Sequence, residues 1–224
     1  MEVLGFTDVG VRYKDNQDTY LSMSLEVGDT KTSILVLCDG MGGLEDGRFA
    51  SQRVVSAIRE IALRGDFRKE SFLSAIERVN SEIYEKYSSK GKQCGTTCSF
   101  VVLSEGKYFG YHIGDTRIYH FRGSNYKILT EDHTLVNLKR KRGEEVSEEF
   151  ARKHRSTLSR CLGAFKSPRL DYIEGEYQEG DTFVACSDGF WHYWNMSLNN
   201  LEEEIARIKS LGELDNITVS MILV

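Results

Sequence analysis

The run Ile34-Leu35-Val36-Leu37-Cys38 limits this chain's fold more than any other stretch, because it has no polar break until it stops at Asp39-Gly40. An unbroken apolar run followed by the glycine-rich Gly40-Met41-Gly42-Gly43 reads as a buried strand that delivers one carboxylate to the rim of a core. The pattern recurs at Thr182-Phe183-Val184-Ala185-Cys186-Ser187-Asp188-Gly189. Two apolar runs, each ending in Asp-Gly, predict one shared site.

The surrounding pattern predicts what packs on these strands. Residues 2–8 and 19–23 read as strands, separated by the turn-forming Lys14-Asp15-Asn16-Gln17-Asp18, in which Asp18 taken alone is a turn residue. Two helices follow, one carrying Ala50, Val54, Ile58 and Ile61, the other Phe72, Ile76, Val79, Ile83 and Tyr87, each at the spacing of one buried face. Residues 97–103, 107–113, 116–122 and 125–130 are short β-branched and aromatic runs broken at Glu105-Gly106, Gly114-Asp115 and Gly123-Ser124, and they read as an antiparallel meander. Short helices are predicted near 135–138 and 148–153, strands at 169–177 and 181–187, a helix near 197–210 and a last strand at 217–223. That order predicts an α+β class of sheets covered by helices. At 224 residues, with Pro168 its single proline and no low-complexity linker, the chain reads as one domain spanning 1–224.

Several function classes are excluded at this level. A net charge of −5 offers no basic footprint for nucleic acid. The start lacks the basic and apolar segments of a signal peptide, and no run of about 18 apolar residues occurs, so a cytoplasmic protein with no membrane partner is expected. Cys38, Cys94, Cys98, Cys161 and Cys186 are odd in number and lie mostly in apolar runs, which predicts buried free thiols; no neighbouring Cys or His pair completes a zinc set around Cys94 and Cys98. Glu45 stands where a dinucleotide loop needs its third glycine, and no Gly-Lys-Ser/Thr phosphate loop or Gly-x-Ser-x-Gly elbow is present.

The chemistry therefore falls to carboxylates. Asp18 precedes a predicted strand, Asp39 and Asp188 follow strands, Asp215 precedes the last strand, and Asp115 sits in the turn of His112-Ile113-Gly114-Asp115-Thr116-Arg117. Carboxylates gathered at one rim repel unless a cation neutralises them, and an all-oxygen set suits hard Mg²⁺ or Mn²⁺. His112, His120, His133, His154 and His192 form no close pair spaced for helix ligation. Lys139-Arg140-Lys141-Arg142 reads as a solvated helix end, or as a docking surface for acidic or phosphorylated substrates.

In order and spacing, Asn16-Gln17-Asp18, Val36 to Gly43, Gly95-Thr96-Thr97, Gly114-Asp115-Thr116-Arg117-Ile118-Tyr119, Leu129 to Thr134, Ser187-Asp188-Gly189 and Asp215-Asn216-Ile217-Thr218 resemble the metal-dependent type 2C protein Ser/Thr phosphatases in their compact bacterial form, over essentially the whole chain. The resemblance implies a four-layer α-β-β-α sandwich, two antiparallel sheets flanked by helices, with a two-metal centre at one end. It implies that Asp39 bridges both metals, that the Gly40 carbonyl binds one, that Asp188 and Asp215 complete the other, that Asp18 holds water on the metals, and that Asp115 helps bind a third, weaker ion. Residues from about 135 to 166 would form a flap. The implied reaction is direct hydrolysis of phosphoserine or phosphothreonine by a water activated between Mn²⁺ or Mg²⁺ ions, without a phosphoenzyme. The implied substrates are phosphoproteins, including a Ser/Thr kinase, and a monomer is expected.

Two residues depart from the family pattern. The Arg that grips the substrate phosphate would fall on Tyr13 when counted from Gly10, with Arg12 one residue early, so either a bulge returns Arg12 to the site or the clamp is absent. Met41 stands where many eukaryotic members carry a His proposed to protonate the leaving group. The irregular Arg leaves open a catalytically weak phosphatase-fold module that binds phosphoproteins or regulates a partner, and, more distantly, a hydrolase of small phosphorylated molecules.

Overall fold

The structure is a computed structural model of the 224-residue chain and describes every residue except Asp29, Gly42, Gly43 and Glu45, so the Gly42-Gly43 part of the opening motif and the Glu45 position lie outside it. In chain order the elements are β1 (Glu2–Asp8), β2 (Asp18–Val27), β3 (Thr30–Asp39), α1 (Gly47–Leu63), α2 (Lys69–Ser88), β4 (Cys98–Ser104), β5 (Lys107–Ile113), β6 (Arg117–Arg122), β7 (Asn125–Ile128), α3 (Leu135–Lys141), α4 (Glu148–Lys153), β8 (Asp171–Glu176), β9 (Asp181–Cys186), α5 (Asp188–Trp191), α6 (Leu201–Ser210) and β10 (Ile217–Leu223). They form two five-stranded antiparallel sheets, ordered β1-β10-β9-β6-β7 and β2-β3-β4-β5-β8. Helices α1 and α2 cover the second sheet and α6 covers the first, giving the expected four layers.

The uninterrupted apolar run in β3 follows from this layering. Successive side chains of a strand point to opposite faces. Ile34, Val36 and Cys38 pack beneath α1 and α2, whereas Leu35 and Leu37 meet Phe183, Ala185 and Ile222 between the sheets. Both faces are dry, so neither tolerates a polar residue. All five cysteines are buried free thiols. No helix among the described residues is long and apolar enough to cross a membrane.

The expected meander is not one sheet. β4 and β5 pair with each other, as do β6 and β7, but β5 lies beside β8 while β6 lies beside β9 in the other sheet. The chain changes sheets at Gly114-Asp115-Thr116, where Gly114 has φ +112° and an added Cβ would lie 2.5 Å from the Thr97 side chain. Glycine admits that conformation at little cost. A run of short strands and turns records spacing without recording which neighbour each strand takes. This crossing places Asp115 at the rim shared by both sheets.

Candidate metal centre

The site begins with the register of β2 against β3. Asp18, the first residue of β2, is directly opposite Asp39, the last residue of β3. Like charges directly opposed on an antiparallel pair destabilise it, so this pairing requires compensation. Asp39 is held by its backbone: Thr97 Oγ1 accepts from Asp39 N at 2.8 Å, while Thr97 N and Thr96 Oγ1 donate to the Asp39 carbonyl at 2.8 and 2.9 Å. That anchoring gives Gly95-Thr96-Thr97 its place in the pattern and leaves the carboxylate free to face the cavity. Gly40 N donates to Gln17 O at 3.2 Å, and its carbonyl accepts from no described residue.

The other sheet supplies the second half. Asp188 opens α5 immediately after β9, and Asp215 lies just before β10. Asn216 ties the Asp215 loop to the turn between β1 and β2, accepting from Gln17 N at 2.8 Å, donating from Nδ2 to Val9 O at 2.8 Å and donating from its backbone N to Asp215 Oδ1 at 2.8 Å. Gly10 packs against the same loop with φ +72°, where an added Cβ would stand 1.9 Å from Asp215 O. Gly10→Ala is therefore expected to displace the Asp215 loop, lowering thermal stability by about 2 kcal/mol or more and weakening divalent-cation binding at least tenfold by calorimetric titration. Wild-type affinity in this variant would show that the loop does not depend on the close approach.

Arg12, Tyr13, Asp39, Gly40, Met41, Thr97, Asp115, Arg155, Ser156, Asp188 and Asp215 line one cavity of about 420 Å³. Asp18 lies beneath it, with both carboxylate oxygens buried and unpaired. The hydroxyls of Thr218 and Ser187 moderate its charge from nearby. Each is engaged elsewhere, however: Thr218 Oγ1 with Thr7 Oγ1 at 2.7 Å, and Ser187 Oγ toward the carbonyls of Asn216 and Thr218. Asp188 Oδ1 is likewise buried without a partner, and Oδ2 accepts from Ser156 Oγ at 2.8 Å.

Electrostatics follow from this crowding. Burial raises the Asp18 carboxyl to about 7, with Asp215 and Asp188 adding to the rise. Burial, then Asp18 and Asp188, hold Asp39 well above the ordinary carboxylate range, and Asp115 is held there by burial, Asp188 and Asp132. Asp188 is raised by burial, and Asp215 is pushed to about 6 by burial and Asp188. Five carboxyls that all resist ionisation form a site in want of positive charge. Among the described residues no three His, Cys, Asp or Glu side chains already converge on one point at ligand distance. The fit to a cation rests instead on the unpaired oxygens of Asp18 and Asp188, the open Gly40 carbonyl and an all-oxygen donor set suited to hard divalent ions.

The predicted residues are thus gathered, and Arg12 and Met41 also reach the cavity. Arg12 lies in the turn between β1 and β2, with its N donating to Leu214 O at 2.9 Å, so the alternation of strand faces does not govern its direction. Met41, also on the wall, has a thioether that can carry no proton to a leaving group. The histidines serve as packing and support: His112 receives Ser99 Oγ at Nδ1 and donates to Glu131 O, and His133 joins Gly114 N to Asp171. Trp191 Nε1 donates to the Asp115 carbonyl at 3.0 Å, beneath Arg117, which makes a two-bond pair with Asp132. Ser156, Arg155 and Glu213 escaped the sequence reading. Glu213 Oε1 accepts from both Leu214 N and Asp215 N, a role that Glu213-Leu214-Asp215 could have signalled through its paired acids; Ser156 and Arg155 carry no local signal.

The arrangement is a carboxylate-rimmed cavity at the end of a β-sandwich, suited to a metal-dependent hydrolase. The chain belongs to the protein phosphatase 2C family, whose model matches residues 12–214, and its fold is that of a serine/threonine phosphatase. It is 30% identical to a putative protein phosphatase 2C-type of Streptococcus pyogenes, over 96% of this chain and 94% of that protein. The structure of the S. agalactiae serine/threonine phosphatase superposes with a TM-score of 0.84 at 30% identity, covering 100% of this chain and 99% of that one. A likeness of fold extends to the catalytic domain of the serine/threonine phosphatase PstP, solved in complex with two manganese ions, at a TM-score of 0.75 and 24% identity over 98% and 96% of the two chains.

Proposed function

We propose that this chain removes phosphate from phosphoserine and phosphothreonine in proteins by direct attack of water at a centre of two divalent cations, Mn²⁺ or Mg²⁺. The observation that carries this reading is the pairing of Asp18 opposite Asp39, with both Asp18 oxygens buried and unpartnered. In this reading Asp39 would be shared between the two ions, the Gly40 carbonyl would serve one of them, and Asp188 with Asp215 would hold the other. Asp18 would hold water on the ions, and Asp115 would help hold a third, weaker one. Bound cations lower the pKa of water, align it with phosphorus and neutralise charge on the phosphoryl oxygens.

The remaining work belongs to the chain. Arg12 on the rim presents a guanidinium to the phosphate, for which its planar donors are suited. Residues 135–166 serve as the flap, with Ser156 reaching Asp188. The substrates are phosphorylated proteins, a Ser/Thr kinase among them. The buried free thiols suit a reducing cytoplasm, and the protein acts as a monomer in this reading. A phosphatase-fold binding module without turnover is not favoured, since the carboxylates such a module could lose are gathered on one cavity.

The test combines Mn²⁺ titration by calorimetry with hydrolysis of a phosphothreonine peptide, for the wild type and Asp188→Asn. Wild-type turnover is expected only with metal, and Asp188→Asn is expected to lose at least tenfold in cation affinity as well as turnover. Metal-independent hydrolysis, or unchanged affinity in the variant, would discard the two-cation assignment.

A further inference from the structure

The floor of the cavity is acidic, whereas one wall is strongly cationic and has no part in the reaction described above. Residues 139–169 carry ten Lys and Arg against four Glu, in a chain whose net charge is −5. Much of this surplus is neutralised locally: Lys139 pairs with Glu144, Lys141 with Glu131 at 2.8 Å, and Arg160 with Asp171 at 2.8 Å. Arg152, Lys153 and Arg155 differ. They are exposed, take no ion-pair partner among the described residues, and line the same cavity as Asp39 and Asp188.

Cations in the last turn of a helix also favour its dipole, which gives Arg152 and Lys153 a structural use in α4. That use does not extend to Arg155, which lies beyond the helix end, nor does it account for all three facing one cavity. The segment bearing them is held in place. Leu135 N donates to Thr157 O at 2.7 Å, Ser159 N to His133 O at 2.8 Å, and Thr96 and Leu162 exchange backbone bonds at 3.1 and 2.9 Å. Asn80 secures the far end, accepting from Gly163 N at 2.7 Å and donating to Phe165 O at 3.0 Å. A cationic wall anchored just beyond Arg155 meets a ligand with reduced ordering cost.

We propose that Arg152, Lys153 and Arg155 form a subsite for acidic side chains flanking the phosphorylated residue, so that the enzyme selects acidic phosphopeptides. The proposal rests on the phosphatase reading and adds a substrate class to it. With the phosphate at the carboxylate floor, the neighbouring residues of a peptide pass over this wall at the cavity mouth. A chain with an acidic surplus elsewhere repels acidic polypeptides in general, so this wall is where their attraction concentrates and where encounter is steered. The two guanidinium groups can each take a carboxylate with two parallel bonds.

The test compares kcat/KM for phosphothreonine peptides of equal length flanked by Glu, by Ala or by Lys, for the Mn²⁺-loaded wild type and Arg152→Glu/Lys153→Glu. The wild type is expected to prefer the Glu-flanked peptide by about tenfold, mainly through KM, with the preference shrinking as salt is raised toward about 0.5 M. The charge-reversed protein is expected to prefer the Lys-flanked peptide. Equal wild-type kcat/KM for all three peptides overturns the subsite and leaves the phosphatase reading standing, as does an acidic preference that survives charge reversal. Failure of every peptide to turn over overturns the phosphatase reading and the subsite with it.

Discussion

Asp39→Asn is expected to lower metal-dependent turnover of a phosphothreonine peptide by on the order of 10³-fold or more, equivalent to about 4 kcal/mol of transition-state stabilisation. The variant keeps the shape of the side chain and the backbone grip of Thr96 and Thr97, so the rim itself stays in place. It removes one charge from the opposed Asp18–Asp39 pair, so the metal-free variant should be at least as stable as the wild type. A large loss of activity with no loss of metal-free stability is the signature of a carboxylate kept for chemistry. A variant retaining more than a tenth of wild-type turnover would remove Asp39 from the bridging position, and a variant that melts earlier without metal would mark it as structural.

The second large effect is a pH-dependent destabilisation carried by Asp18 that bound metal removes. Asp18 has its carboxyl raised from the usual range near 4 to about 7 by burial and by Asp215 and Asp188. The folded state therefore binds that proton more tightly than the unfolded state does. Its contribution to stability is complete below about pH 4 and is lost as the pH rises through 7. At about 1.4 kcal/mol per pH unit, keeping this carboxylate ionised costs the metal-free fold at most about 4 kcal/mol.

His112 and His192, lowered to about 3 and 4 by burial, act in the opposite sense by favouring the fold as pH rises through their window. The effect of Asp18 is therefore isolated by difference. Metal-free Asp18→Asn and wild type should melt together near pH 4, diverge progressively between about pH 4 and pH 7, and stay apart above that, with the variant higher by on the order of 5–10 °C. Saturating Mn²⁺ should close or reverse that gap, because bound cations favour the ionised carboxylate. Parallel melting curves across the whole range would show that Asp18 is not held under this strain.

Much of this site was legible from residue order alone. Asp39 and Asp188 were marked by apolar runs that end abruptly in Asp-Gly, and those runs are uninterrupted because both faces of β3 and β9 are covered. The two sheets with helices on their outer sides followed from the family resemblance and agree with the observed layers. The connection between sheets was not legible. β5 and β6 are separated by a turn as short as that of a hairpin, and only the three-dimensional crossing at Gly114 tells them apart. Ser156 and Arg155 were hidden for a related reason. They reach the cavity because segment ends far apart in sequence are tied to Thr96, His133 and Asn80, and nothing in their immediate neighbours records that folding back.

The division of the carboxylates between the sheets has a mechanical consequence. Asp18 and Asp39 end strands of one sheet, while Asp188 and Asp215 flank strands of the other. Cations bound between them would act as rivets across the sandwich, resisting any sliding of one sheet over the other. The inter-sheet layer of Leu35, Leu37, Phe183 and Ile222 then sets the gauge of the site from below. Repacking that layer, far from any phosphate, should retune metal affinity, and loading the metal should make the two halves of the sandwich come apart as one.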